Sequence, residues 1–231
     1  YGERPLFQVP TAGGFRTISW RQAAGRVELI ARSLLAVSAQ TGARPIAVVA
    51  RNSLEMALVD LACLSSGLVN VMVPATSTEA DVRYILGHAG VGAVVVSDPE
   101  LLHRVLAARE RLPGLGPIIG IDRLGAATRH VQPFDHLLAR SSEVSAAELA
   151  ERRRRLRIDD LATVMYTSGT TGTPKGIRFS HRNIVFKRFA RALALPEIGE
   201  DDRFLCYLPL FHTFGRFLEM TGCVFWGATY C

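Results

Sequence analysis

Residues 166–176 read Tyr166-Thr167-Ser168-Gly169-Thr170-Thr171-Gly172-Thr173-Pro174-Lys175-Gly176, between apolar runs at 161–166 and 176–179. Glycines allow positive φ and close backbone approach, so successive N–H groups can turn toward one anion. The Ser and Thr hydroxyls add donors, and Lys175 adds a mobile point charge suited to phosphate oxygens. The ligand this chemistry points to is a polyphosphate. The pattern differs from the G-x-x-x-x-G-K-[ST] loop that enters a helix, because Gly176 follows Lys175 and the chain returns into an expected strand. A Ser/Gly/Thr hairpin that binds nothing is the competing reading.

A second constellation is Leu208-Pro209-Leu210-Phe211-His212-Thr213-Phe214-Gly215-Arg216. Its one histidine could serve an active site or sit satisfied in a core of Phe and Leu. Ser180-His181-Arg182-Asn183 reads as a helix cap and support for the loop.

The elements that must position these residues follow from periodicity. Ser19-Trp20-Arg21-Gln22 is a capping box, and Trp20, Ala23, Ala24, Val27, Ile30, Ala31, Leu34 and Leu35 keep helical spacing up to Gly42. Short β-branched runs at 46–50, 69–73, 93–96 and 118–121 alternate with helices expected from Asn52 or Ser53 to Gly67, from within Thr76-Ser77-Thr78-Glu79 to Gly90, and at 101–109. Strand–helix alternation of this length means βαβ units, hence an α/β fold with a parallel sheet covered on both faces. Residues 122–157 are less periodic and hold the best linker. A strand at 161–166, the loop, a strand at 176–179 and a helix opened by Ser180 come next. That helix is expected to turn Val185, Phe186, Phe189, Ala190 and Leu193 inward. A further strand of the same unit is expected at 204–208 and an apolar helix at 214–225. A Gly-rich loop at the C-terminal end of a strand is where open α/β sheets bind ligands.

The chain has 231 residues, 48% of them hydrophobic and 21% charged, an ordinary globular composition. No apolar run is long enough to cross a bilayer and no signal-peptide core is present, so a cytoplasmic protein is expected. Cys63, Cys206, Cys223 and Cys231 lack C-x-x-C spacing and read as buried free thiols. Much of the +6 net charge falls in Arg152-Arg153-Arg154-Arg155 with Arg157. Without interleaved aromatics the run argues against nucleic acid and for a solvated helix end, with peripheral membrane contact as the alternative.

Placed whole, YTSGTTGTPKG resembles the phosphate-binding signature of the acyl-adenylate-forming (AMP-binding) superfamily. Pro209, His212 and Gly215 match its P-x-x-H-x-x-G stretch, and Ser180, His181 and Asn183 its Ser-His-x-Asn. Asn52-Ser53-Leu54-Glu55-Met56, Leu61-Ala62-Cys63 and residues 67–71, 81–86 and 93–97 look like its early units. The form of the second motif is most similar to long-chain fatty acyl-CoA synthetases.

The resemblance implies a two-step ligase. A fatty acid and ATP give acyl-AMP and pyrophosphate, and coenzyme A then takes the acyl group. A fatty acyl-AMP ligase serving an acyl-carrier protein, or a non-catalytic phosphate- or nucleotide-binding fragment, are the alternatives. It implies that Thr167, Ser168, Gly169, Thr170, Thr171, Gly172, Lys175 and Thr213 hold the nucleotide and that Thr167 also serves Mg²⁺. Lys175 and His212 would act in catalysis, His212 at the junction of carboxylate and α-phosphate, with Phe214 and Gly215 on a tunnel wall. It implies a first subdomain with linker over 1–157 and the start of a nucleotide-binding subdomain over 158–231. The adenine motifs, the magnesium glutamate and a C-terminal domain would lie beyond Cys231, leaving these residues inactive alone.

Overall fold

Alternation along the strands decides which helix covers which face. In a computed structural model, which describes residues 1–121, 124, 130–167 and 172–231, the chain opens with a hairpin of β1 (Pro5–Thr11) and β2 (Gly14–Ser19). Then follow α1 (Trp20–Gln40), β3 (Ile46–Val49), α2 (Leu54–Ser66), β4 (Asn70–Val73), α3 (Glu79–His88), β5 (Ala93–Val96), α4 (Pro99–Glu110) and β6 (Ile118–Gly120). Ile46 and Val48, with Met72, Ala93, Val95 and Ile119, pack in one cluster with α1 and α2. The intervening residues Ala47, Val49, Val71, Val73, Val94, Val96 and Ile118 pack with α3 and α4. Period-2 side-chain direction on strands buried on both faces produces this division.

Helix starts follow local chemistry. Ser19 with Gln22 and Thr78 with Asp81 form capping boxes, and Ser53 and Asp98 cap α2 and α4. The remaining elements are β7 (Val131–Pro133), α5 (Phe134–Ala139), a 3₁₀ turn (Arg140–Glu143), α6 (Ala146–Arg155), β8 (Leu161–Thr167), β9 (Lys175–Ser180) and α7 (His181–Ala194). The chain ends with β10 (Arg203–Phe204), a π-helix (Phe214–Met220) that runs into α8 (Thr221–Trp226), and β11 (Thr229–Tyr230).

The main sheet has the order β7-β6-β5-β3-β4-β8-β9, parallel except for β9, which pairs antiparallel with β8. β8 lies beside β4, so the division expected at residue 157 falls between strands of one sheet. A second sheet, β10-β11-β1-β2, joins the chain's two ends.

Several expectations are corrected. The stretch 122–157 is more than a linker: it holds β7, α5, the 3₁₀ turn and α6, and its Leu137 and Leu149 are buried in the core with α1 and α2. The arginine run does form a helix end, but not a merely solvated one. Arg152 donates to the Ser66 and Gly67 carbonyls at 2.6 and 3.1 Å and Arg153 to Ser65 at 3.3 Å, which satisfies carbonyls that the end of α2 leaves open. Arg154 and Arg155 both pair with Glu151.

The strand expected at 204–208 covers only Arg203–Phe204 and belongs to the second sheet. Residues beyond it turn away, held by the Asn52 amide. Of the four thiols, Cys63 and Cys223 are buried, while Cys206 and Cys231 are half-buried.

The face of α7 is reversed. Val185, Phe186, Phe189 and Leu193 are 48, 59, 57 and 70% exposed, and Arg188 is 3% exposed. Arg188 Nη1 donates to the Leu218 carbonyl at 3.2 Å, and burial pushes its guanidinium down to about 10. Contact with the π-helix and α8, rather than apolar periodicity, sets the rotation of α7. Among the described residues no helix is long and apolar enough to cross a membrane.

Gly67 ends α2 at φ 67°, where an added Cβ would lie 2.2 Å from Leu156 Cδ2. Gly67→Ala combines a left-handed backbone penalty with overpacking and is expected to cost about 2–4 kcal/mol. Equilibrium urea unfolding reads this directly.

Candidate functional site

β4 connects through α3 to β5 on one side, and β8 connects through the glycine-threonine loop to β9 on the other. Adjacent parallel strands whose connections leave in opposite directions open a crevice at their C-terminal ends. A cavity of about 390 Å³ lies there, lined by Pro74, Thr76, Ser77 and Asp81 after β4, Tyr166 and Thr167 from β8, Gly172 and Pro174 from the loop, and Phe211 and His212.

The wall after β4 is fixed by Arg104, whose Nη1 donates to the Ala75 and Ser77 carbonyls at 3.0 and 2.8 Å. The His212 wall is fixed by Asn52. Its amide donates to the Leu208 carbonyl and its oxygen accepts from Leu210 N–H, both at 2.8 Å. The His212 backbone N–H donates to the Pro209 carbonyl at 3.0 Å, and Nδ1 of its exposed ring accepts from Phe214 N–H at 3.4 Å.

The structure thus brings Thr167, Gly172 and His212 to one cavity. Lys175 is the register partner of Thr167 across the β8–β9 hairpin, with an exposed side chain beside the loop's exit. Gly172 has φ 80°, the backbone freedom asked of a loop glycine. Thr213 is not among the cavity's lining residues and leads into the π-helix. Phe214 is exposed, with Arg191 over its ring at 5.8 Å. Ser168, Gly169, Thr170 and Thr171 lie outside the described residues. Ser180 and Asn183 form the capping box of α7, and the β8–β9 hairpin delivers the chain to it.

Behind the cavity lies a buried polar cluster that motif reading passed over. Arg216 Nε and Nη2 donate to Asp60 Oδ2 and Oδ1 at 2.8 and 2.6 Å, Nη2 also to Asn70 Oδ1 at 3.0 Å, and Nη1 to Thr163 Oγ1 at 2.8 Å. The Asn70 amide donates to Asp60 Oδ1 at 2.6 Å, and Thr163 Oγ1 donates to the Asn70 carbonyl at 3.1 Å. Arg216 stands one turn after His212, and Thr163 stands four residues before Thr167 on β8. One network therefore holds both halves of the site. Sequence carried only a faint signal of it: an Asp, an Asn and a Thr inside otherwise apolar elements.

Residues 1–231 match the family model described as AMP-binding enzyme. The chain belongs to that family. This AMP-binding chain is 30% identical over 218 residues to long-chain-fatty-acid–CoA ligase FadD15 of Mycobacterium bovis, covering 93% of the chain and 35% of that protein. It is 29% identical over 219 residues to human long-chain-fatty-acid–CoA ligase 6, covering 89% of the chain and 31% of that protein. The chain thus spans about a third of the length of these relatives. Among solved structures, ATP-bound MatB of Rhodopseudomonas palustris superposes with a TM-score of 0.78 at 24% identity, over 99% of the chain and 42% of MatB. The o-succinylbenzoate CoA synthetase of Bacillus subtilis in complex with its acyl-adenylate intermediate gives 0.68 at 23% identity, over 99% and 52%. The mixed α/β fold is the one these proteins share.

Removing one partner of the buried ion pair leaves a charge stranded, so Asp60→Ala is expected to destabilise the protein by about 3–5 kcal/mol. The double variant Asp60→Leu with Arg216→Met is expected to recover most of that loss. Urea unfolding of the two variants beside the parent checks both values.

Proposed function

We propose that the whole protein is an ATP-dependent acyl-activating ligase that joins a fatty acid to AMP with release of pyrophosphate, then transfers the acyl group to coenzyme A. The observation that carries this reading is the single cavity, at the C-terminal ends of β4 and β8, onto which Thr167, Gly172 and His212 converge. It accords with the family and with the names of the relatives, which are fatty-acid CoA ligases.

In this reading the loop amides, the hydroxyls of residues 167–173 and Lys175 hold the phosphates that depart as pyrophosphate. Phosphoryl and adenylyl transfers depend mainly on positioning and on stabilising charge, and fixed donors with a mobile cation supply both. His212, at the opposite wall, lies where its ring can hold the attacking carboxylate or the α-phosphate.

The donor set fits a magnesium ion that arrives with the nucleotide. Among the described residues no three His, Cys, Asp or Glu side chains gather into a resident metal site. Thr167 offers one exposed hydroxyl on the cavity wall, and Mg²⁺ keeps several waters with few protein ligands. The ion would neutralise phosphate charge while Thr167 fixes its place.

Fatty-acid-dependent exchange of labelled pyrophosphate into ATP tests the first half-reaction in the whole protein. Lys175→Ala is expected to lower kcat/KM for ATP about 10- to 100-fold, the range for one charge-assisted hydrogen bond. His212→Ala is expected to lower kcat about a hundredfold, as for the loss of one oriented donor at a reacting centre. Mg-ATP binding without exchange would instead make the protein a nucleotide binder. Supplying coenzyme A or an acyl-carrier protein as acceptor then distinguishes a CoA ligase from a carrier-loading one.

A further inference from the structure

The described residues show what holds the stem of the phosphate loop. Thr167 and Lys175 face each other across the open end of the β8–β9 hairpin, both exposed. The last buried residue before the loop is Tyr166, paired in register with Gly176. Its ring lies over that glycine: a Cβ at 176 would stand 3.0 Å from Tyr166 Cζ and 3.2 Å from its hydroxyl. The phenol thus crosses β9 directly beside Lys175 while also lining the cavity.

The far end of the ring is tied to another element. Tyr166 Oη lies 2.7 Å from Nδ1 of His88, the last residue of α3. The His88 ring stacks on Tyr84 one turn earlier, with centroids 5.2 Å apart at 21°, and meets Tyr166 edge-on at 5.9 Å and 86°. Burial raises the Tyr166 phenol above its ordinary range, so the phenol keeps its proton, and the tautomer of the imidazole sets which partner donates in the bond to Nδ1. His88 itself is exposed and belongs to neither core cluster. An exposed histidine aimed at the hydroxyl of a buried tyrosine contributes little to packing, but it sets where that ring lies.

We propose that His88 is a positioning residue for the polyphosphate end of the nucleotide, acting through Tyr166. The Tyr84–His88 stack fixes the imidazole. The imidazole fixes the phenol over Gly176. The phenol sets the twist at which Thr167 and Lys175 leave the hairpin and approach one anion. Without the bond the phenol can pivot about its side-chain torsions, and the two loop ends lose their common orientation. This role rests on the nucleotide reading above. It adds a residue 78 positions upstream that no loop motif contains.

The test uses the whole protein and measures both substrates. In the fatty-acid-dependent exchange assay His88→Ala is expected to raise KM for ATP about tenfold, the worth of one neutral hydrogen bond, and to leave KM for the fatty acid unchanged. Titration calorimetry with magnesium pyrophosphate is expected to show the same tenfold weakening. His88→Asn, which keeps a hydrogen-bonding group near the Nδ1 position, is expected to recover most of the affinity. Tyr166→Phe is expected to match His88→Ala, and the double variant to be no worse than either single one, because both remove one shared bond.

Equal loss for both substrates, additive losses in the double variant, or failure of His88→Asn to recover would each overturn the positioning role. So would parent-like behaviour of His88→Ala. These results leave the ligase reading intact when the parent exchanges normally. A parent that neither exchanges nor binds pyrophosphate overturns that reading and the role of His88 together.

Discussion

The contact on which the rest depends is the bidentate pair of Arg216 and Asp60, with Asn70 and Thr163 completing its hydrogen bonds. Arg216 and Asp60 are 0 and 1% exposed, so each charge persists there only because the other does. The four residues come from the π-helix, α2, β4 and β8, separated by up to 156 positions in the chain. A charged network of this kind is poor at adding net stability and good at excluding alternatives, since any shifted docking strands a buried charge. Its consequence lies one turn and four residues away. His212 and Thr167 reach the same cavity because the elements that carry them can dock in only one way.

The cavity combines firm walls with an open rim. Arg104 and Asn52 hold two loop segments by their carbonyls and amides, leaving Ser77 buried and His212 exposed at the edge. These bonds to backbone groups add to the anchoring of the two loops by Ala75 and Leu210, which are buried in the core beneath them. Among the described residues no side chain clamps Thr167 or Lys175 in this way, and the β8–β9 hairpin carries both, which is why the phenol of Tyr166 matters. Firm walls of this kind suit a polar site, because positioned donors stabilise charge best when they do not have to reorganise.

Elements with a local cause were legible in advance. Ser19 with Gln22, Thr78 with Asp81 and Ser180 with Asn183 cap their helices through contacts three residues apart; the first and last of these helices start where the pattern placed them, and α3 starts within the expected stretch 76–79. β3, β4, β5 and β6 fall on β-branched runs because strands buried on both faces need little else. The rotation of α7 was not legible: Phe186, Phe189 and Leu193 trace an apolar stripe, yet Arg188 faces inward against the π-helix. Nor was the role of residues 203–212, whose apolar character resembles a strand but whose backbone is bonded to Asn52, 156 residues from Leu208.

By itself, then, the sequence determined the α/β class and the family signature, and it set which groups the loop can offer a ligand, since glycines, hydroxyls and one lysine are properties of the residues themselves. Only the tertiary structure decided that Thr167 and His212 share a cavity, that Asp60 and Arg216 join its two halves, and that His88 meets Tyr166. Each of these depends on which strand lies beside which. Strand order is settled by packing summed over the whole sheet, and no local spacing records that sum.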